Sequence, residues 1–255
     1  KLNGKHAGGT LLARDEATNI TFLLKPGSGP QSPAAGAKEE GASQSRREAC
    51  FYHVADDLGL GGFFPETDLL LIDGKEYAAM RLLPWSYKTL DWKREHGYAA
   101  PRILNHYLAE GSLHRWAVVD YILGNSDRHA NNLMVGDGNE VVLIDHGSAF
   151  AGVDFDPAND QNSFIPFYLR AWASEAGPFN SLSPDEKLDA MPRLNESRAK
   201  ELASWIASLD AEKIGRRLTE YGINPTPTLA RLAKVKAMAL TAPADLAIDS
   251  LWTTT

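Results

Sequence analysis

A polar segment lies between two apolar stretches at Leu123–Val135, which reads Leu-Gly-Asn-Ser-Asp-Arg-His-Ala-Asn-Asn-Leu-Met-Val. It contains Asp127, His129 and Asn132. Polar groups between buried elements cost free energy unless they are hydrogen-bonded or engaged with a ligand. The alternative is that these are ordinary turn residues, since Asn and Asp are common in turns. The density of polar groups favours a functional loop.

A second polar sequence follows a short apolar run. Val141–Ile144 is predicted to be a strand, and Asp145–Gly147 comes directly after it. A carboxylate at a strand end, close to a glycine, can meet a ligand at short range. A loop and a neighbouring strand end can converge, so Asn132 and Asp145 are predicted to supply two oxygen ligands to Mg²⁺, which takes further oxygens from water and phosphates. Asp127 is then available to orient or deprotonate an attacking hydroxyl group.

The chain before this region predicts a small sheet that carries one helix. The dipeptides Asn3-Gly4 and Asp73-Gly74 are turn signals, and the second lies between two apolar runs as in a β-hairpin. Residues 26–45 are rich in Gly, Ser, Pro and Ala, which is typical of a surface loop. Strands are predicted within residues 1–25, at 67–72 and at 76–82, and a helix is predicted at 45–58.

The chain after Pro84 is predicted to be mainly helical. A strand-rich first third followed by helices indicates an α+β fold. We therefore predict two lobes, residues 1–83 and residues 84–255, with the ligand site in the cleft between them. The predicted helices cover about residues 100–109, 112–123, 164–174, 195–208, 210–220 and 226–240.

The two polar motifs resemble a known family. Asp127-Arg128-His129-x-x-Asn132, followed by Ile144-Asp145-His146-Gly147, is similar to the phosphatidylinositol 3/4-kinase superfamily, whose catalytic loop reads Asp-Arg-His-x-x-Asn and whose metal motif reads Asp-Phe-Gly. Bacterial phosphatidylinositol-kinase-like proteins and the secretory-pathway (casein-type) kinases are also similar. Typical protein kinases read His-Arg-Asp, so the order here is that of atypical kinases. The resemblance implies a two-lobed protein-kinase-like fold, with a small β-rich N-lobe carrying one helix and a larger helical C-lobe.

The resemblance also implies roles for individual residues. Asp127 corresponds to the catalytic aspartate, and Asn132 and Asp145 correspond to the metal ligands. Lys25, at the end of an apolar strand, corresponds to the lysine that binds the α- and β-phosphates of ATP, and Glu48 to its helical partner. The alternatives are a solvated lysine and a carboxylate on the helix surface.

Four further residues have a less specific signal. Gly8 and Gly9 are expected in a hairpin that covers the phosphates of ATP. His129 is expected either to assist phosphoryl transfer or to hold the backbone of its loop, and both interpretations stay open. His146 stands where the family has phenylalanine, which questions the usual packing of an activation switch.

Composition excludes several functional classes. The net charge of −7 and the pI of about 5.5 disfavour nucleic acid and anionic membranes as partners. The single cysteine, Cys50, rules out an intramolecular disulfide and is expected to be buried. No Walker-type phosphate loop, zinc-ligand spacing or Gly-x-Ser-x-Gly motif is present. The six tryptophans are expected in the core or at the interface between the lobes.

The expected function is that of an ATP-dependent phosphotransferase using Mg²⁺, with Mn²⁺ as an alternative ion. The expected acceptor is a protein Ser or Thr, or a small polar molecule, because the acidic balance and the short chain disfavour a membrane lipid. Two alternatives stay open: transfer of AMP on the same fold, and a pseudokinase that binds without turnover. Lys1 is not an initiator methionine, so the compartment stays open.

Overall fold

The chain forms a small antiparallel sheet in its N-terminal part and several helices in its C-terminal part. The computed structural model describes residues 2–5, 10–27, 42–98, 100–125, 127–150 and 195–241. This mixed α+β arrangement confirms the predicted fold class and is that of a two-lobed kinase-like fold.

The N-terminal sheet has five antiparallel strands in the order β1-β2-β3-β5-β4. The Asp73-Gly74 hairpin joins the last two strands, and both of its residues have positive φ, as the predicted tight turn requires. The predicted turn at Asn3-Gly4 is wrong: both residues lie in β1, where the register shifts between Asn3 and Lys5, and a glycine is tolerated at such a bulge. The strands are β1 Leu2–Lys5, β2 Leu11–Arg14, β3 Thr21–Pro26, β4 Thr67–Ile72 and β5 Lys75–Arg81.

One helix, α1 at Gln44–Asp57, packs against β3, β4 and β5. Its N-terminus is capped by Ser43, whose hydroxyl oxygen accepts a hydrogen bond from the backbone N–H of Arg46. Arg46 also forms an ion pair with Glu76 on β5, which fixes this end of the helix to the sheet. Cys50 is fully buried in α1, as predicted. Because α1 is fixed against the sheet in this way, the direction in which its polar side chains point is fixed as well.

The C-terminal part confirms the predicted helices within the described residues. The predicted helix at 164–174 lies outside them. A second, three-stranded sheet was predicted only in its last strand, because the other two strands, of two and three residues, show no periodicity. Its strands, in the order β6-β7-β8, are β6 Lys88–Thr89, β7 Leu133–Val135 and β8 Val141–Leu143. The helices are α2 Leu90–Glu95, α3 Ala100–Ala109, α4 Ser112–Ile122, α5 Glu196–Ser208, α6 Ala211–Glu220 and α7 Thr226–Thr241.

The hydrophobic core is continuous from α1 through α4 to the last three helices. Trp116 on α4 is buried in this core, as predicted. Trp85 is 87% exposed, so the prediction that it lies in the core or at the interface between the lobes is wrong. Trp85 lies in the turn after Pro84, where the chain leaves the five-stranded sheet. None of the helices described is both long and apolar enough to cross a bilayer.

Candidate active site

Lys25 brings together two carboxylates that are distant in sequence. It lies on β3, in the middle of the five-stranded sheet, opposite Ala78 of β5. Its Nζ is 3.4 Å from Oε1 of Glu48 on α1 and 3.0 Å from Oδ1 of Asp145, two residues beyond β8. Burial alone would lower the pKa of Lys25, but the two carboxylates outweigh it and the pKa is raised. Lys25 is therefore held as a cation between the sheet and the C-terminal part of the chain.

Glu48 is buried rather than solvated, so the interpretation as a helix-surface carboxylate is wrong. Its second oxygen, Oε2, accepts a hydrogen bond from the backbone N–H of His146 at 2.9 Å. Burial raises the pKa of Glu48, and the carboxylate of Asp145 adds to this rise, although Lys25 and the N–H of His146 oppose it. Helix α1 is thus tied to the residue after Asp145 as well as to Lys25.

The loop before β7 is built on a buried ion pair. Arg128 donates through Nε and Nη2 to the two carboxylate oxygens of Asp120 on α4, at 3.2 and 3.1 Å. Asn125 donates through Nδ2 to the same carboxylate at 2.7 Å. The remaining Nη1 of Arg128 donates to the backbone carbonyls of Asn132 and Ile144. A guanidinium group therefore joins α4, the polar loop and the chain beyond β8.

Asn132 and Asp145 come close together through the backbone. The N–H of Ile144 donates to the carbonyl of Asn132 at 3.0 Å, which puts Asp145 one residue from this bond. The side chain of Asn132 donates through Nδ2 to the backbone carbonyl of Asp127. This hydrogen bond fixes the orientation of the Asn132 amide. Because its nitrogen faces the carbonyl of Asp127, its oxygen faces away from that carbonyl. Asp145 has φ of 62°, in the left-handed region that few non-glycine residues adopt.

Asp127 and His129 lie on the accessible side of the same loop. Nε2 of His129 is 3.7 Å from Oδ1 of Asp127, and both side chains are about half exposed. Nδ1 of His129 accepts a hydrogen bond from the backbone N–H of Asn131, which caps a short 3₁₀ turn at Ala130–Asn132. The ring of His129 therefore holds the backbone and also stands next to the carboxylate of Asp127.

Residues 91–195 match the family model Phosphatidylinositol 3- and 4-kinase. Over this range the chain is similar to these kinases. The matched range includes the loop with Asp127 and Asn132 and the segment with Asp145, whereas Lys25 and Glu48 precede it. No curated protein matches the chain. The match supports a kinase-like phosphotransferase at the level of the family.

The oxygen donors of this kinase-like site fit Mg²⁺. Asp145 could supply a carboxylate, whose side chain is 45% exposed, and Asn132 could supply its amide oxygen, since its Nδ2 is the atom that bonds to Asp127. Within the described ranges, no group of three or more His, Cys, Asp or Glu side chains is arranged to hold a metal ion. Mg²⁺ commonly takes only one or two protein oxygens and completes its coordination with phosphates and water. A donor set of this size therefore suits an ion that arrives with a nucleotide.

Two contacts between α1 and the segment after Asp145 were missed by sequence reasoning. Arg47 donates through Nε to the backbone carbonyl of Gly147 at 2.6 Å. The ring of His146 stacks on Phe51 of α1, with centroids 4.1 Å apart and planes 9° from parallel. No local pattern indicates the contact of Arg47 with Gly147, because the two residues lie 100 positions apart in the chain.

His146 is a buried, hydrogen-bonded residue of this kinase-like chain. Its Nδ1 is 2.8 Å from Nη2 of Arg128, and its Nε2 is 3.1 Å from the carbonyl oxygen of Leu143. Burial, together with the positive charges of Arg128 and Lys25, holds the pKa of His146 well below its usual value. Gly8 and Gly9, which were predicted to cover the phosphates, lie outside the described residues.

Proposed function

We propose that the protein transfers the γ-phosphoryl group of ATP to a hydroxyl acceptor. The acceptor is a Ser or Thr of a protein, or a small polar molecule. The observation that carries the proposal is the contact of Lys25 with both Glu48 and Asp145. A lysine next to a helical glutamate and a metal-binding aspartate is the arrangement with which kinases hold the phosphates of ATP.

The charges of the site suit phosphoryl transfer. Lys25 provides a fixed cation for the oxygens of the nucleotide phosphates, and Glu48 keeps its ammonium group in place. Asn132 and Asp145 would hold Mg²⁺, which when bound neutralises charge on the phosphates. Because transfer involves little covalent chemistry by the protein, positioning and electrostatic stabilisation account for most of the rate.

We assign to Asp127 the role of orienting the acceptor hydroxyl group. Its carboxylate is about half exposed, and its backbone carbonyl accepts a hydrogen bond from Asn132. An exposed carboxylate at the end of a fixed loop can accept the proton of an incoming hydroxyl group. His129, 3.7 Å away, is in reach of the same carboxylate and supports its orientation.

The two lobes of the proposed enzyme divide near Pro84. Residues 1–83 contain the five-stranded sheet and α1, and residues 84–255 contain the loop with Asp127 and the segment with Asp145. Lys25 and Asp145 therefore contribute from opposite lobes, so the nucleotide would occupy the space between them.

Transfer of label from γ-labelled ATP in the presence of Mg²⁺ tests the proposal. The full chain is assayed alone and with a cell lysate, next to Asp145→Ala and Asp127→Ala. A matched control is Asp68→Asn, which changes an exposed carboxylate on β4, away from the site. We expect label on the protein or on a lysate component with the wild type and the control, and none with the two site variants.

The outcome separates the proposed function from its alternatives. Label transferred from α-labelled ATP, with the mass of AMP added to the product, would replace phosphoryl transfer by AMP transfer. Binding of ATP without transfer of either label would identify a pseudokinase. Turnover by Asp145→Ala at the wild-type rate would contradict the role given to Asp145.

A further inference from the structure

All five N–H donors of Arg128 are used within the fold. An arginine side chain has five donors and no acceptor. Here Nε and Nη2 donate to Asp120, Nη1 donates to the carbonyls of Asn132 and Ile144, and Nη2 also donates to His146. The guanidinium group is buried, so a donor that lost its acceptor would have no water to replace it.

This geometry fixes the protonation form of His146. Because arginine can only donate, Nδ1 of His146 must be the acceptor in the 2.8 Å contact. Because the carbonyl of Leu143 can only accept, Nε2 of His146 must carry the hydrogen in the 3.1 Å contact. The ring is therefore a neutral imidazole in the single Nε2–H tautomer.

His146 is held on each side by a different element. Its backbone N–H donates to Glu48 of α1, its ring stacks on Phe51 of the same helix, and its Nδ1 accepts from Arg128 of the polar loop. A phenylalanine in this position would keep the stacking but would leave one donor of the buried guanidinium group unpaired.

We propose that His146 and Arg128 are positioning residues that lock the loop of Asp127 and Asn132 to the segment of Asp145. The hydrogen bond between the two side chains replaces the purely apolar packing expected from a phenylalanine. The segment 145–147 accordingly stays in one arrangement, since a swing of His146 out of its place breaks its bonds to Glu48, Arg128 and Leu143 together.

The first test is independent of catalysis. The ¹⁵N-histidine spectrum of the full chain, with His146→Phe to assign the signal, reports which ring nitrogen carries the hydrogen. We expect a single Nε2–H tautomer for His146, with and without Mg²⁺ and a non-hydrolysable ATP analogue. A Nδ1–H tautomer, or an average of the two tautomers, would overturn the proposal.

The second test rests on the proposed function and separates the hydrogen bond from the stacking. His146→Phe keeps an aromatic ring next to Phe51, whereas His146→Asn keeps an oxygen that can accept from Arg128 and loses the ring. His106→Asn is the control, because His106 is 69% exposed on α3. Loss of an outer-shell partner typically lowers activity by about 10- to 100-fold. We expect this loss in kcat for His146→Phe, with little change in the KM for ATP.

The rates of the variants test the positioning effect of His146, and the tautomer measurement tests its hydrogen bond to Arg128. A rate order of wild type, then His146→Asn, then His146→Phe, measured well below the unfolding temperature of each variant, supports a positioning hydrogen bond. A His146→Phe enzyme that is as fast as the wild type, or faster than His146→Asn, would overturn it. If the wild type itself transfers no phosphoryl group, the proposed function fails, and the tautomer measurement still decides the inference.

Discussion

Replacing Asp120 with Asn tests the buried ion pair beneath the candidate site. The change keeps the size of the side chain and one acceptor oxygen but removes the negative charge opposite Arg128. The two side chains are 1% and 0% exposed, so solvent cannot screen the remaining cation. Removing one partner of a buried ion pair costs about 3–5 kcal/mol. For a chain of this length, each kcal/mol lowers the melting temperature by about 2–4 °C, which predicts a fall of about 6–20 °C.

Thermal unfolding followed by circular dichroism measures this fall. The matched control is Asp68→Asn, which removes an exposed carboxylate paired with His53. Its carboxylate is 61% exposed, and surface substitutions of this kind change the free energy of unfolding by about 0.5 kcal/mol or less. We also expect the loss in Asp120→Asn to persist at high salt, because buried charges are weakly screened. A melting temperature for Asp120→Asn within about 2 °C of the wild type would refute the buried, charged pair.

A double variant, Asp120→Leu with Arg128→Met, refines the test. Replacing a whole buried ion pair with apolar residues is often neutral for stability. Here Arg128 also donates to the carbonyl of Ile144, and a carbonyl left without a donor costs about 1–3 kcal/mol. We therefore expect only partial recovery, with a coupling between the two changes that a double-mutant cycle quantifies. Full recovery would show that the carbonyl of Ile144 finds another donor.

Three further predictions concern the N-terminal part of the site. Lys25→Met is expected to raise the KM for ATP and to lower kcat, measured by label transfer, because the fixed cation is lost; unchanged values would contradict its role. The folded state raises the pKa of Glu48, so its contribution to stability is present at low pH and is lost as the pH rises above the ordinary value of 4.5. Urea unfolding should therefore show that the free energy of unfolding of the wild type falls relative to that of Glu48→Gln as the pH rises above 4.5. A difference between the two proteins that stays constant with pH would contradict the raised pKa. Burial raises the pKa of the Cys50 thiol, so Cys50 should react with a thiol reagent only on unfolding, and fast labelling of the native chain would contradict its burial.

Local patterns predicted the elements that are long or that have specific turn chemistry. Helix α1 shows apolar residues at helical spacing, and Asp73-Gly74 has the two positive φ values of a tight hairpin. Strands β6 and β7 have two and three residues, which is too short for any periodicity to appear. Asn3-Gly4 has the composition of a turn, but pairing with β2 keeps it in a strand. Tertiary pairing overrides local preference at these positions.

The sequence also predicted the residue types of the candidate site better than their contacts. The motif around Asp127 and the segment after β8 were recognisable because the spacing is specific. The partner of Arg128 was not recognisable from the sequence. Asp120 looks like any polar residue of a helix, and only the structure shows that α4 is buried on nearly all sides. Burial of a charged residue depends on the packing of distant elements, and no window of sequence contains that information.

The segment 144–147 is held from two directions, and this makes it the part of the site most sensitive to change. From α1, Arg47 donates to the carbonyl of Gly147 and Glu48 accepts from the N–H of His146. From the polar loop, Arg128 donates to the carbonyl of Ile144. The backbone between these attachments carries Asp145 at positive φ, a conformation that persists only when its surroundings determine it. The position of the Asp145 carboxylate thus depends on both lobes at once, so loosening either attachment moves the residue on which the proposed metal site depends.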